Sequence, residues 1–277
     1  GEIKAFSDNV VVTSTLSYNF TLTDQRANKA IVKDEPFTAV VSRSIVLLPE
    51  TPARPRFHDY RVAVFYTGKS LFGEHEQASR AIYYANRWNL VPKDAQAYKA
   101  GKLSDPVKPI IFYIDTNFPE QWKPHIKEGV EQWNELFEEI GFSNAIKALD
   151  YPTDDPEFDP DNIKYSCVRY APIGIQNAMG PSWVDPRSGE IINASVYIYH
   201  DMVKLLNNWM FVQISPANER IRTKNIPDDI MNDGLRYVTA HEVGHTLGFM
   251  HNMSASYNIP VDSLRSPSYT NSTGTTT

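Results

Sequence analysis

The sequence predicts an α+β fold in which a mixed, mostly parallel sheet with two long helices follows a small antiparallel β region. After residue 105, short apolar runs bounded by turn residues alternate with segments of helical period, as parallel strands joined by helical crossovers require. Before it, closely spaced runs of alternating apolar and polar residues favour antiparallel strands. A chain of 277 residues can bury a sizeable core and is long enough for one or two domains.

The N-terminal β region covers residues 1–104. Alternation of apolar and polar residues from Leu16 to Leu22 predicts a half-buried strand, and residues 37–48 and 60–66 are two further strand-like runs. These runs contain no chemical motif. The role of the region is therefore left open between a prosegment, a packing platform and a substrate-docking module.

The second region, residues 105–277, begins with a strand–helix–strand unit. Residues 109–115 form an apolar run that predicts a central strand. A helix is predicted from Pro119 to Gly141, because large apolar residues recur every three or four positions between them. A strand at residues 164–170 completes the unit, and the long crossover favours parallel pairing.

Three further elements are predicted before the C-terminal motif. Residues 192–199 alternate between apolar and polar side chains, which is typical of a half-buried strand. Residues 202–210 predict a short helix. Pro227 followed by two aspartates predicts the start of a longer helix, because proline suits the first turn and acidic groups favour its positive end.

The residues that carry chemistry form the stretch His241-Glu242-Val243-Gly244-His245-Thr246-Leu247-Gly248-Phe249-Met250-His251. Two histidines four residues apart share one face of a helix, and this spacing lets two imidazoles bind one metal ion. Glu242 lies too far round the helix to be a comfortable ligand. It is instead placed to act as a general base beside the metal.

The motif continues beyond the helix to a third histidine. Glycine permits a left-handed turn that a residue with a Cβ resists, so the chain bends at Gly248 and brings His251 back as a ligand. Three protein ligands leave one position open, as in a catalytic zinc site. The sequence therefore predicts a zinc ion held by His241, His245 and His251, with Glu242 as the catalytic base and Gly248 as the structural turn.

These eleven residues match the metzincin metallopeptidases position by position. From about residue 55 to residue 277 the chain also resembles large secreted bacterial zinc-dependent metalloproteases with a poorly characterised N-terminal region. The resemblance implies a metzincin-like catalytic domain over residues 105–277, an endopeptidase that cleaves peptide bonds, and a location outside the cytoplasm. Zinc would polarise the scissile carbonyl and activate a water molecule, from which Glu242 would take a proton.

The resemblance also predicts where substrate binds. In metzincins a strand in the position of residues 192–199 is the exposed antiparallel edge of the sheet above the cleft. An extended peptide would pair with its backbone beside Ser195, Tyr197 and Tyr199. An interior strand without a substrate role is the alternative, because alternation reports burial on one side and not which partner pairs with the edge.

Metzincins further carry a methionine in a tight turn beneath the zinc. Met253 follows His251 too closely for the chain to loop under the metal. We therefore expect this turn, and any further zinc ligand, to lie beyond residue 277.

Three alternatives share the histidine motif. They are a zinc hydrolase of a non-peptide amide, a non-catalytic zinc-containing binding or surface module, and a site for nickel, cobalt or copper. An intact Glu242 disfavours the second, because a structural zinc needs no base.

Composition excludes several classes of partner. A net charge of −6 argues against nucleic acid, and no apolar run approaches the ~18 residues of a membrane span. The expected partner, a peptide or protein substrate, is what the resemblance to metzincins implies. One cysteine, Cys167, allows no internal disulfide and is expected in the core. The chain begins at Gly1 without a signal segment. The acidic run 154–161 is an alternative calcium site, although its prolines and spacing favour a solvated loop.

Overall fold

The computed structural model describes residues 1–24, 26, 29–74, 77–216, 218–264 and 266–273. Its strands are β1 (Glu2–Ala5), β2 (Asn9–Asp24), β3 (Lys29–Val46), β4 (Tyr66–Leu71), β5 (Arg80–Ala85), β6 (Ile110–Ile114), β7 (Ile146–Asp150), β8 (Ser166–Ala171), β9 (Ala178–Met179), β10 (Ser182–Val184) and β11 (Ile191–Tyr199). Its helices are α1 (Ala95–Lys99), α2 (Lys123–Glu131), α3 (Asn134–Glu139), α4 (Met202–Ile214), α5 (Asp228–Thr246), α6 (Val261–Leu264) and α7 (Pro267–Thr273). Short 3-10 turns occur at Glu219–Ile221 and Ala255–Asn258.

The central sheet has the order β10-β11-β8-β6-β7, and β9 also pairs with β11. The pairs β7–β6, β6–β8 and β8–β11 are parallel, whereas β9 and β10 run antiparallel to β11. A mostly parallel sheet with an antiparallel outer strand is the predicted α+β class, which is confirmed. The pairing is parallel because each connection is a long crossover: α2 and α3 lie between β6 and β7, and residues 151–165 lie between β7 and β8. Such a crossover returns the chain to the end of the sheet at which the previous strand began.

Helices α2 and α5 pack against each other and cover the central sheet. Phe112, in the middle of β6, is completely buried, as are Ile126 of α2 and Leu235 of α5. The opposite face of the sheet carries Cys167, which is also completely buried. Burial raises the pKa of its thiol to about 12, so the predicted core role of the cysteine is confirmed.

The predicted helix from Pro119 to Gly141 is shorter and interrupted. It begins at Lys123 and breaks between α2 and α3, at the position of Trp133. There the indole N–H of Trp133 donates to the Ala240 carbonyl of α5, at 3.0 Å. The apolar period was correct, but the backbone tightens here. The N–H groups of Glu135 and Leu136 donate three residues back, to the carbonyls of Gln132 and Trp133, and this interrupts the regular α-helical ladder.

The N-terminal region is antiparallel, as predicted, but it forms two small sheets. The first is β1-β2-β3, dominated by the long β2–β3 hairpin, and the second is the pair β4–β5. Residues 60–65, predicted as part of a strand, form a turn and an irregular segment instead. At its base the first sheet is fixed to the central region, since Asn9 donates to the side chain of Asn162 at 2.7 Å in a buried position.

The strand predicted as the exposed edge lies inside the sheet, so that prediction is wrong. Parallel strand β8 pairs with one side of β11, and the antiparallel strands β9 and β10 pair with the other. Ser195 is buried, while Tyr197 and Tyr199 are half-buried. The alternation predicted burial of one face only, but Asn193 and Ser195 of the polar face are buried as well as Ala194 and Val196. The outer position belongs to the two very short strands that precede β11.

Within the described residues, no helix is both long and apolar enough to cross a membrane.

The contact between α2 and α5 gives a test with opposite outcomes at two helical glycines. A Cβ on Gly129 would lie 2.6 Å from the Arg236 carbonyl oxygen of α5, which is rigid backbone. We expect Gly129→Ala to lower the free energy of unfolding by about 1–3 kcal/mol, the usual cost of overpacking.

Gly234→Ala is the matched control, because its Cβ would meet the Met210 methyl group at the end of a flexible side chain. We expect this variant to be unchanged or up to about 1 kcal/mol more stable, as alanine is the better helix former. Denaturant unfolding followed by circular dichroism measures both. Equal effects at the two positions would show that α2 and α5 do not approach as closely as described.

Candidate metal centre

Helix α5 carries the first two histidines of the motif. It begins directly after Pro227, with two aspartates in its first turn, as predicted. The completely buried Leu235 and Val243 turn toward the core, while His241 is exposed and His245 is half-buried. The burial of one face therefore fixes the rotation of the helix and turns both imidazoles outward.

The turn after α5 is the one predicted. Gly248 has φ of +108°, a conformation that residues with a Cβ rarely adopt. The N–H of Phe249 donates to the Gly244 carbonyl at 3.1 Å, and that of Gly248 to the His245 carbonyl at 3.0 Å. These bonds close the helix end and reverse the chain, which places His251 beside the two helical histidines.

The three imidazole rings converge on one point. Nε2 of His251 lies 3.2 Å from Nε2 of His241 and 3.2 Å from Nε2 of His245. Three nitrogens that bind a tetrahedral zinc ion at its usual bond lengths are about 3.3 Å apart. The geometry and the donor chemistry of the triad therefore fit a zinc ion.

Two features prepare the histidines as neutral ligands. Nδ1–H of His245 donates a hydrogen bond to the Phe249 carbonyl oxygen at 2.8 Å, which leaves Nε2 unprotonated and free for a metal. Burial, together with the nearby charges of His245 and His251, holds the pKa of His241 below its ordinary value. Both effects favour the unprotonated nitrogen that a metal needs.

Glu242, the predicted base, is buried on the side of α5 next to the outer strands. Only 8% of its surface is exposed, and burial raises the pKa of its carboxyl to about 7. A cation held by the triad would lower this pKa, because a nearby positive charge favours the ionised carboxylate. Among the residues that the structure describes, none forms a hydrogen bond to the carboxylate, which leaves it free for a water molecule.

Gly180, between β9 and β10, is a contributor that sequence reasoning missed. Its backbone presses directly on that of Glu242, so closely that a Cβ at position 180 would clash with the Glu242 carbonyl. The outer strands therefore run alongside the helix at the position of the base. The Gly180-Pro181 dipeptide signals a turn, but nothing in the sequence indicates which element it contacts.

A stacked aromatic pair braces the loop that carries the third histidine. The rings of Trp133 and Phe249 are 5.7 Å apart and nearly parallel. Close approach needs the absence of a side chain at Gly244, where a Cβ would lie 2.9 Å from the Trp133 ring. The helical spacing of the tryptophans predicted a core role, which is compatible with this contact, but not its partner.

The other predicted site residues lie outside the triad. Ser195, Tyr197 and Tyr199 have their backbone paired within the sheet, so no edge remains there for a substrate. Met253 is 80% exposed.

The acidic run offers no cluster of unpaired carboxylates. Three of its side chains pair with cations of the chain: Glu157 with Lys164, Asp159 with Lys4, and Asp161 with Arg169. Asp155 accepts a hydrogen bond from the Tyr165 hydroxyl. These pairs agree with the favoured surface loop, and calcium stays an untested alternative.

The turn at Gly248 yields a prediction about stability. Gly248→Ala forces a Cβ into a left-handed conformation and against the Asn86 carbonyl oxygen. Gly101, with φ of +72° and nothing near a Cβ, isolates the conformational cost alone. We expect Gly101→Ala to cost about 1–2 kcal/mol, and Gly248→Ala to cost at least about 1 kcal/mol more. Denaturant unfolding of the metal-free chain checks this, and equal losses would contradict the described packing.

Comparison with known families agrees with this geometry at one end of the chain. Residues 223–277 match the model of a family described as Met-zincin, and residues 1–93 match that of a domain of unknown function (DUF5117). No curated protein and no solved structure matches the chain significantly. The Met-zincin match spans α5, the turn at Gly248 and all three histidines, and thus supports a metzincin-type zinc protease domain in this part of the chain.

Proposed function

We propose that the protein is a zinc-dependent endopeptidase, in which His241, His245 and His251 hold the ion and Glu242 is the general base. The observation that carries the proposal is the convergence of three imidazoles one residue along the helix from a buried carboxylate. Nε2 of His251 lies 3.2 Å from that of each helical histidine, and the ligand nitrogens of the triad all lie within 4.8 Å of one another. A site that only held a structural zinc would need no such carboxylate and has no reason to keep an open position.

The chain's own residues divide the chemistry among them. When bound, zinc supplies Lewis acidity to a water molecule and to the scissile carbonyl. Glu242 accepts the proton of the attacking water at a carboxylate oxygen and then gives it to the leaving amine. The bond from His245 to the Phe249 carbonyl keeps that ring oriented throughout.

The outer strands β9 and β10 offer an edge at which a peptide substrate could bind. Strand β10 is the last strand of the sheet on this side, and β9 is its companion along β11. Gly180 brings the segment between them against the backbone of Glu242. We therefore assign substrate pairing to the outer edge of β9 and β10 in place of β11, since an extended peptide can add to an open edge.

The location outside the cytoplasm and the likeness to large secreted bacterial enzymes remain part of the proposal. They rest on the sequence resemblance alone. The two other functions that share the motif, hydrolysis of a non-peptide amide and non-catalytic binding, are outcomes of the experiment below.

The base assignment predicts a separation of zinc binding from turnover. Glu242→Gln is expected to bind zinc as the wild type does, and to lose about 10²- to 10⁴-fold in turnover, the usual contribution of a general base. Zinc content by mass spectrometry and cleavage of a peptide library, with and without a chelator, measure the two properties. The same change at Glu139, exposed at the end of α3, is the control and should alter neither.

The other possible outcomes would each support a different function or a different base. Cleavage by Glu242→Gln at the wild-type rate would refute the base assignment. These outcomes are read from the longer polypeptide that includes the turn expected beyond residue 277. If its zinc-loaded wild type hydrolyses small amides but no peptide it is an amide hydrolase, and if it hydrolyses neither it is a binding module.

The ligand assignment predicts a large loss of metal affinity at His251. His251→Ala is expected to weaken zinc binding at least about 100-fold, more than the loss of a residue that only supports a ligand. His200→Ala is the control, since His200 stacks on Trp122 outside the triad and should not change the affinity. Competition with a coloured chelator measures both. Equal zinc affinities of the wild type and His251→Ala would rule out His251 as a ligand. Metal analysis of protein prepared without a polyhistidine tag tests whether the native ion is zinc.

A further inference from the structure

The loop that carries the third histidine is paired with the N-terminal region of the chain. The N–H of Phe65 donates to the Gly248 carbonyl, and the N–H of Met250 donates to the Ala63 carbonyl, both at 2.8 Å. Residues 63–65 and 248–250 thus form a short antiparallel bridge. The side chain of Phe65 continues this contact, because its ring lies 6.0 Å from that of His245.

A second N-terminal segment, residues 86–88, supports the first. The N–H of Asn86 donates to the Phe65 carbonyl at 2.8 Å, and the Asn86 carbonyl fills the space that a side chain at Gly248 would need. The indole N–H of Trp88 donates to the Thr246 carbonyl at 2.9 Å, at the last turn of α5. This carbonyl has no partner within the helix, so the indole satisfies it.

Segment 86–88 is itself held by the central region. The N–H of Arg87 donates to the Gly189 carbonyl at 3.0 Å, and its carbonyl accepts from Ile191, the first residue of β11, at 2.8 Å. The two N-terminal segments therefore connect the start of β11 to the end of α5. We call residues 63–65 and 86–88 together the N-terminal clamp.

The clamp acts on the loop at the points that orient two histidines. Phe249 lies inside the bridged segment, and its carbonyl oxygen accepts from Nδ1 of His245. His251 follows Met250, the last bridged residue. Phe249 and Met250 are 45% and 42% exposed, so burial of the loop's own side chains alone does not hold it in place.

We propose that the N-terminal clamp is a structural component of the metal centre, whose residues position His251 through the bridge to Met250 and His245 through the Phe249 carbonyl. The region matched as a domain of unknown function is then required for high-affinity metal binding. It is neither a removable prosegment nor a separate docking module. This inference rests on the proposed metal site, and its residues are positioning residues that touch neither metal nor substrate.

The conservative test removes one donor of the clamp. Trp88→Phe keeps an aromatic ring but leaves the Thr246 carbonyl without its indole partner. We expect zinc affinity to fall about 10-fold, at the lower end of the effect of residues that support metal ligands. Trp209→Phe is the matched control, because Trp209 is half exposed on α4 and lies outside the clamp. Chelator competition on the full chain measures both.

A stronger test removes the backbone donor. Phe65→Pro deletes the N–H that donates to Gly248, and we expect a loss of zinc affinity of at least about 10-fold. The same change at Phe72, which is exposed and outside the clamp, controls for the introduction of proline. If Phe65→Pro does not fold, Trp88→Phe decides alone.

Coordination geometry separates positioning from general destabilisation. Cobalt substituted for zinc has an absorption spectrum that reports its ligands. We expect the spectrum to change in the clamp variants and to stay as in the wild type in both controls, even where the metal-free chains unfold at similar denaturant concentrations. Unchanged affinity and spectrum in Trp88→Phe would overturn the proposal, as would losses that only follow the stability of the metal-free chain.

The experiment also separates this inference from the proposed function. A wild type that binds no zinc defeats the metal site itself. A wild type that binds zinc and cleaves peptides, beside clamp variants of equal affinity and spectrum, defeats the clamp alone.

Discussion

The site depends on one geometric constraint: three ring nitrogens must remain within 4.8 Å of one another although two come from a helix and one from a loop. The helix is the easy part, since spacing of four residues and burial of the opposite face place His241 and His245 together. The loop is harder, because each free backbone dihedral between α5 and His251 would spread that nitrogen over a larger volume. Much of the surrounding structure can be understood as a means of removing that freedom.

Close contacts at three glycines restrict that freedom. Trp133 lies against Gly244, Asn86 against Gly248, and Gly180 against Glu242, each where a Cβ would not fit. Such contacts allow elements from distant parts of the chain to meet at the end of one helix. They also place the base, the histidines and the outer strands in a fixed relation to each other, which oriented acid–base chemistry requires.

What the sequence could predict follows from how local each feature is. The histidine motif, the helix start after Pro227 and the left-handed turn at Gly248 depend on neighbours a few residues away, so all three were found by spacing and turn chemistry. The parallel sheet followed from the alternation of strands and helices. The break at Trp133 was missed because hydrophobic period does not report where backbone bonds tighten from four residues to three. The irregular segment at 60–65 was missed because its pairing is with the distant residue Phe249.

The misplaced edge strand has the same origin. Residues 192–199 form a strand, as their alternation predicts, but two- and three-residue strands carry no periodicity by which β9 and β10 could be recognised. The sequence also gave no sign that residues 63–65 reach the histidine loop, since their bonds are between backbone groups, which every residue type possesses.

The bond from Trp88 to Thr246 joins positions 158 residues apart, and this separation bears on the order of events during folding. Contacts so distant in the chain form late, after loop closure has been overcome. A newly made chain would therefore hold its two helical histidines in place well before the third. Metal uptake at full strength would then mark the end of folding and would lag behind the appearance of helical structure.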